Sequence, residues 1–312
     1  MNQAKLRGSM VALVTPFRKG QVDESALKRL VEWHIKEGTS ALVPCGTTGE
    51  SATLSHEEHE RVVELVVQTA RGKIPVIAGT GSNNTQEAIR LTKHAKRVGA
   101  DAALLISPYY NKPTQRGLYL HFKAVAEAVS IPIVLYNIAS RTAVNIEPET
   151  VAKLAAELPS IVAIKEASGS LEQMSRILQL TRRRLTLLSG DDALTLPVLS
   201  IGGTGVISVV ANLVPRDVAA MIQAFEQGKI REAIDWHDKL LPLVKAMFIE
   251  TNPIPVKTAM GLLGMIAPEL RLPLCAMEGA NLEKLRAALE AYGLRKEPLM
   301  RELKTQNSKL KT

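Results

Sequence analysis

The string "IVAIKEAS", residues 161–168, carries four apolar residues straight into a lysine, Lys165. An ammonium withdrawn from water at the end of such a run costs several kcal/mol unless it is paired or deprotonated. Two readings follow. Lys165 pairs with a carboxylate such as Glu166, or it is a neutral amine that attacks a carbonyl and forms a Schiff base. Other polar strings recur at comparable positions: "GTTGES" at 46–51, "PYYNKP" at 108–113, "YNIASRT" at 136–142 and "SGDD" at 189–192. Thr47 and Thr48, between glycines and just ahead of a helix start, suit a carboxylate ligand, and they equally suit an ordinary capped turn. Tyr109 and Tyr110 share one loop between prolines, where a core role fits one ring but hardly both. Tyr136 is either a packed strand tyrosine or an acid/base group near the amine. Arg141 offers a fork to a carboxylate or a surface salt bridge.

Three further strings carry less. His56 and His59 in "HEEHE" are three apart, which misses the four-residue spacing of a helical zinc motif. "GTGSNN" lacks the third glycine of a dinucleotide fingerprint. "GGTG" at 202–205 precedes a strand where barrel enzymes often bind phosphate, although no basic residue stands beside it. Close approach of its backbone to a substrate is the other reading.

The elements that must position these residues are legible as alternation. Short apolar, β-branched runs at 10–17, 41–46, 75–81, 102–110, 131–137, 161–167, 185–192 and 205–209 are separated by helical patterns and recur at roughly the length of a βα unit. Eight such units predict an α/β fold, a closed (β/α)8 TIM barrel over residues 1–224. In such a barrel the catalytic groups come from the C-terminal ends of the strands, where five of the strings above fall. Period-two alternation places Ile161, Ala163 and Lys165 on one face, and in a barrel that face can look inward. Ser55 with Glu58 three residues on forms a capping box for a helix ending at Gly72. From 225 to 293 strands give way to helical periodicity broken at Pro253, Pro255, Pro268 and Pro273, predicting a C-terminal helical appendage.

Composition narrows the class. The 312 residues are 46% hydrophobic and 22% charged, as in a globular domain, and no apolar run approaches a membrane span. The net charge is +8, but the last twenty residues carry six Lys/Arg against two Glu, so half the excess sits in a basic tail, 294–312, expected to be solvated. Aromatics are only 4%, which argues against nucleic acid as a partner. Cys45 and Cys275, far apart, make neither a disulfide framework nor a metal pattern, in keeping with the cytoplasm.

Taken together and in order, "GTTGE", "PYYNKP", "YNIASRTA", "IVAIKEASG", "LLSGDDA", "GVISVVAN" and "NPIPVKTAMG" closely resemble the dihydrodipicolinate synthase family, from about residue 8 to residue 293. The resemblance implies that Lys165 condenses with pyruvate, so that a covalent imine takes the place of any external cofactor, and that the enamine attacks L-aspartate 4-semialdehyde. It implies a proton relay of Thr47, Tyr136 and Tyr110, the last from a neighbouring subunit of a homo-oligomer, commonly a tetramer. Thr48 would hold the pyruvate carboxylate, Arg141 that of the semialdehyde, and backbone at Gly190 and Ile207 would lie near the lysine. Ser51, Ala52, His56, His59, Asn83, Glu87 and Tyr109 match an inhibitory site for free lysine. One departure is Ala139, where the family usually has proline, which predicts a looser loop beneath Arg141. N-acetylneuraminate lyases and 2-keto-3-deoxy sugar acid aldolases share the lysine and the strand tyrosine; Thr47, Thr48 and Arg141 favour the synthase. A non-catalytic relative that only binds a keto acid or amino acid is disfavoured by the intact set.

Overall fold

The computed structural model describes residues 6–295. Eight parallel strands run β1 (Gly8–Ala12), β2 (Ala41–Val43), β3 (Ile77–Gly79), β4 (Ala102–Ile106), β5 (Ile133–Asn137), β6 (Ile161–Glu166), β7 (Thr186–Ser189) and β8 (Gly205–Ser208). Seven lie within the apolar runs, and β1 begins two residues ahead of its run, at Gly8. Their order across the sheet is β2-β1-β8-β7-β6-β5-β4-β3. A parallel bridge between Leu42 and Val76, with Gly79 N donating to Pro44 O at 2.9 Å, brings the two edge strands together. The result is the expected TIM barrel, with helices between the strands and further helices at the C-terminus, Ile230–Ala246, Ile254–Leu262 and Gly279–Tyr292.

Side-chain alternation divides the core into two layers. Met10, Ala12, Val43, Ile77, Leu104, Val134, Tyr136, Ala163, Leu188 and Ile207 fill the barrel interior. The opposite faces of the strands pack under the helices, where Leu105, Ile133, Leu135, Ile164 and Leu187 meet Phe122, Val151 and Ile177. One strand departs from simple alternation. The register between β5 and β6 passes from Ile133 opposite Ile161 to Val134 opposite Ala163, which leaves Val162 as an extra residue. This irregularity puts Ile161 in the outer layer and Ala163 in the inner one, so the three residues expected on one face are only two, Ala163 and Lys165. Such a bulge re-aims the residues beyond it, and here the strand beyond it carries Lys165 one residue before its end.

Helix caps follow the sequence signals. Ser55 and Glu58 form the reciprocal capping box of the helix His56–Ala70. That helix ends at Ala70, two residues before the expected glycine, because Arg71 itself takes the left-handed cap conformation, followed by Gly72. The "GGTG" glycines lie at the N-terminal end of β8, the opposite end of the barrel from Lys165. A side chain at Gly205 would collide with the Gly8 backbone and one at Gly203 with Val198. Close packing accounts for both, so neither phosphate nor substrate contact is their reason. Of the basic tail, residues 296–312 lie outside the described part of the chain.

Candidate active site

Lys165 stands in register with Tyr136 on β5 and Leu188 on β7. Neighbours in register on parallel strands point to the same side, and both partners belong to the barrel interior. Lys165 therefore points inward at the C-terminal end of β6, only 6% exposed. Its Nζ lies 4.2 Å from the centroid of the Tyr136 ring, a cation–π distance. The alternative of a pair with Glu166 fails on direction. Glu166 faces away and is fully buried, accepting from Asn137 Nδ2 at 3.1 Å, Gln173 Nε2 at 3.0 Å and Ser168 N at 2.7 Å. Among the described residues no salt bridge holds Lys165. Gly190 closes over it, since a Cβ there would sit 3.1 Å from Lys165 Cε and 2.7 Å from Ala167 Cβ. Ile207 lies in the same interior layer, almost fully buried.

The Gly46–Glu50 segment follows β2 as two successive turns, with Gly49 N donating to Gly46 O and Glu50 N to Thr47 O, each at 3.1 Å. Thr15 Oγ1 donates to Gly49 O at 2.7 Å from below. Thr48, 3% exposed, accepts from Asn252 Nδ2 at 3.0 Å. Asn252 also accepts Arg141 Nη2 on its backbone oxygen at 3.1 Å, so one residue ties together the two side chains assigned to carboxylates. Arg141 sits on the single turn Ala139–Thr142, which Arg141 N and Thr142 N close onto Ile138 O at 3.0 and 3.1 Å. Those bonds and the Asn252 contact hold the arginine where proline is missing.

A cavity of about 490 Å³ opens beside this group. Thr47, Tyr136, Arg141 and Asn252 line one part of it, and Ser51, Ala52, His56, His59, Glu87 and Tyr109 another. Two of the four residues assigned to catalysis, Thr47 and Tyr136, thus border the same space as six of the seven matched to an inhibitor, with Tyr110 and Asn83 outside it. Lys165, Thr48, Gly190 and Ile207 stand outside this lining, the lysine abutting it through the Tyr136 ring. In the second part, His56 Nε2 is 3.2 Å from Glu87 Oε1, and Ser82 Oγ donates to the Glu87 carboxylate. His59 is buried with Nε2 donating to Gly79 O at 2.8 Å, and burial holds its pKa below the ordinary histidine range. Asn83 donates to Tyr109 O at 3.2 Å. Tyr109 is 37% exposed and Tyr110 is 89% exposed with a left-handed φ of 73°. Neither phenol is a core residue of this chain, contrary to the expectation for one of them.

Sequence reasoning missed four supports: Asn252, Asn137, Glu50 and Lys257. Glu50 and Lys257 form an ion pair whose side chains are both fully buried. A signal existed for Lys257, a lysine inside the apolar string "IPVKTAMGL", the same kind of anomaly that singled out Lys165. For Asn252 there was none, because its partners are far away in sequence.

The family model for the dihydrodipicolinate synthetase family matches residues 5–292. A 4-hydroxy-tetrahydrodipicolinate synthase from Geotalea daltonii is 59% identical over 288 residues, 92% of this chain and 99% of that protein. The crystal structure of dihydrodipicolinate synthase from Aquifex aeolicus superposes with a TM-score of 0.92 at 53% identity, covering 94% of this chain and all of that one. The enzyme from Cyanidioschyzon merolae with lysine bound gives 0.91 at 44% identity, covering 93% of this chain and 99% of its own. Fold, ordered motifs, inward lysine and these likenesses agree, and the chain belongs to the dihydrodipicolinate synthetase family.

Proposed function

We propose that the protein is a lyase, a 4-hydroxy-tetrahydrodipicolinate synthase, which joins pyruvate to L-aspartate 4-semialdehyde on the route to diaminopimelate and lysine. The observation that carries this reading is Lys165, turned into the barrel against Tyr136 and unopposed by a carboxylate. The Lys165 amine adds to the keto carbon of pyruvate, and loss of water leaves an imine, so that no separate cofactor is needed. Removal of a methyl proton gives the enamine, whose carbon attacks the aldehyde of the second substrate. The amino group of that substrate then displaces Lys165 from the former keto carbon, closing the ring and returning the free amine. Each stage moves a proton, and a chain of hydroxyls beside the amine can carry it. Thr47 and Tyr136, both bordering the cavity, supply two members. Tyr110, exposed on this chain, supplies the third from a neighbouring subunit, which calls for a homo-oligomer and is met by a tetramer built as a dimer of dimers.

Thr48 takes the pyruvate carboxylate, backbone at Gly190 and Ile207 borders the adduct, and Arg141 takes the carboxylate of the semialdehyde. Glu87, with His56, His59, Ser51, Ala52, Asn83 and Tyr109, forms the site for inhibitory lysine, the carboxylate opposing the ligand's ammonium. Neither nucleic acid nor membrane is a partner in this reading; no described helix is long and apolar enough to cross a membrane, and the cytoplasm is the expected compartment. Residues 1–224 are assigned to the barrel and 225–293 to the helical appendage, a division that falls inside the helix Pro215–Glu226 and across a shared core; Asn252 and Lys257 of the appendage reach back to the β2 rim. A substrate panel tests the assignment: with pyruvate constant and the aldehyde varied, L-aspartate 4-semialdehyde is preferred, and lysine in the millimolar range (a binding free energy of about −4 kcal/mol) slows the condensation. Preference for a sugar aldehyde or an N-acetylmannosamine acceptor would reassign the substrate.

A further inference from the structure

Lys257 sits near the start of the helix Ile254–Leu262, in the part of the chain that follows the barrel. Its ammonium is sealed from solvent, paired with Glu50, donating to Thr15 O at 2.9 Å and lying 4.2 Å over the Phe17 ring. The other Glu50 oxygen accepts from Arg271 N at 3.2 Å. Burial of this kind is a poor source of stability, because desolvating both charges consumes most of their attraction, and well-packed apolar residues commonly serve as well. Local geometry supplies another reason for it. Glu50 has a left-handed φ of 51°, a strained conformation for a residue with a side chain, held only when its surroundings over-determine it. Its backbone N–H closes the turn onto Thr47 O, and Thr15, whose carbonyl receives Lys257, braces the same turn through Gly49. Asn252, from the same segment as Lys257, fixes the next hydroxyl along, that of Thr48.

We propose that Lys257 is a positioning residue for the condensation: by pinning Glu50 it sets the turn that presents Thr47 and Thr48 to the adduct on Lys165. The proposal rests on the functional reading above and adds a role for the appendage, which contributes no reacting atom yet fixes the rim of β2. The hydroxyl of Thr47 must meet a proton path and that of Thr48 a carboxylate, and misplacement by about 1 Å can cost on the order of a hundredfold in rate. Lys257 therefore acts on catalysis through backbone geometry at a place it does not touch.

The test compares Lys257→Met with the double variant Lys257→Met/Glu50→Gln. The single change strands a buried carboxylate and lowers Tm sharply; the double change removes both charges and recovers most of that loss. The expected result is a double variant that melts near the parent but has a pyruvate KM raised at least tenfold and kcat lowered at least tenfold. Borohydride with saturating pyruvate still traps the adduct on its Lys165. A folded double variant with parental KM and kcat would overturn the proposal, as would activity that falls only in step with the folded fraction. Failure of the parent itself to trap pyruvate would instead count against the functional reading.

Discussion

At the scale of single residues, the site depends on what surrounds an amine rather than on the amine alone. Glu166, adjacent in sequence, was the natural partner for Lys165, and strand alternation sends it to the other face, where Asn137 and Gln173 hold it. Room for the lysine comes from Gly190. A Gly190→Ala substitution places a methyl group against Lys165 Cε and Ala167 Cβ; it should leave the fold intact while lowering kcat/KM for pyruvate at least tenfold, about 1.4 kcal/mol or more in transition-state stabilisation. Steady-state kinetics beside a melting curve separates the two effects, and unchanged kcat/KM would show that the lysine has slack there. Lys165, Thr47, Tyr136 and Arg141 were legible because a polar residue at the end of an apolar run is conspicuous. Asn252 was not, since it speaks to Thr48 and Arg141 only after the chain has closed on itself.

At the scale of elements, the eight strands and their order of appearance follow from apolar β-branched runs alternating with helical periodicity, and seven of the observed strands fall inside the runs, β1 starting two residues early. What the alternation could not show is the irregularity at Val162, because an extra residue in one strand is defined by its partner's register. Because of it, the face assigned to Ile161 is wrong while that of Lys165 stays right. Local capping chemistry was more readable. Ser55 opens the helix that carries His56 and His59, its hydroxyl accepting from Glu58 N at 3.2 Å while its own N–H donates to the Glu58 carboxylate at 3.0 Å. Ser55→Ala is expected to lower unfolding free energy by about 1 kcal/mol, with little change in pyruvate KM. Urea unfolding checks it, and a loss below a few tenths of a kcal/mol would mean that the Arg271 contacts to Glu58 already fix this helix start.

At the scale of the whole molecule, burial sets a pH dependence that the sequence could not disclose. His34 and His121 are buried with Nε2 unpartnered, and desolvation pulls their pKa values down to about 3 and about 4. Both stay neutral in the folded protein while the unfolded chain takes up protons below about 6.5. The stability they confer is present above that pH and is lost as pH falls toward their folded values, roughly 2 kcal/mol each between pH 7 and pH 5. Unfolding measured across that range should show the decline, and His121→Leu should flatten it; an unchanged slope would place the proton uptake elsewhere. The same global view joins the barrel to its appendage, for the rim of β2 is shaped by residues from beyond β8.

The account turns on a covalent adduct, and trapping it is the most direct measurement. Incubation with pyruvate and borohydride, followed by proteolysis and mass analysis, should inactivate the enzyme irreversibly and add one reduced pyruvyl group to the peptide containing Lys165, with no such adduct in Lys165→Ala. Full activity after that treatment, or an adduct on any other lysine, would contradict it.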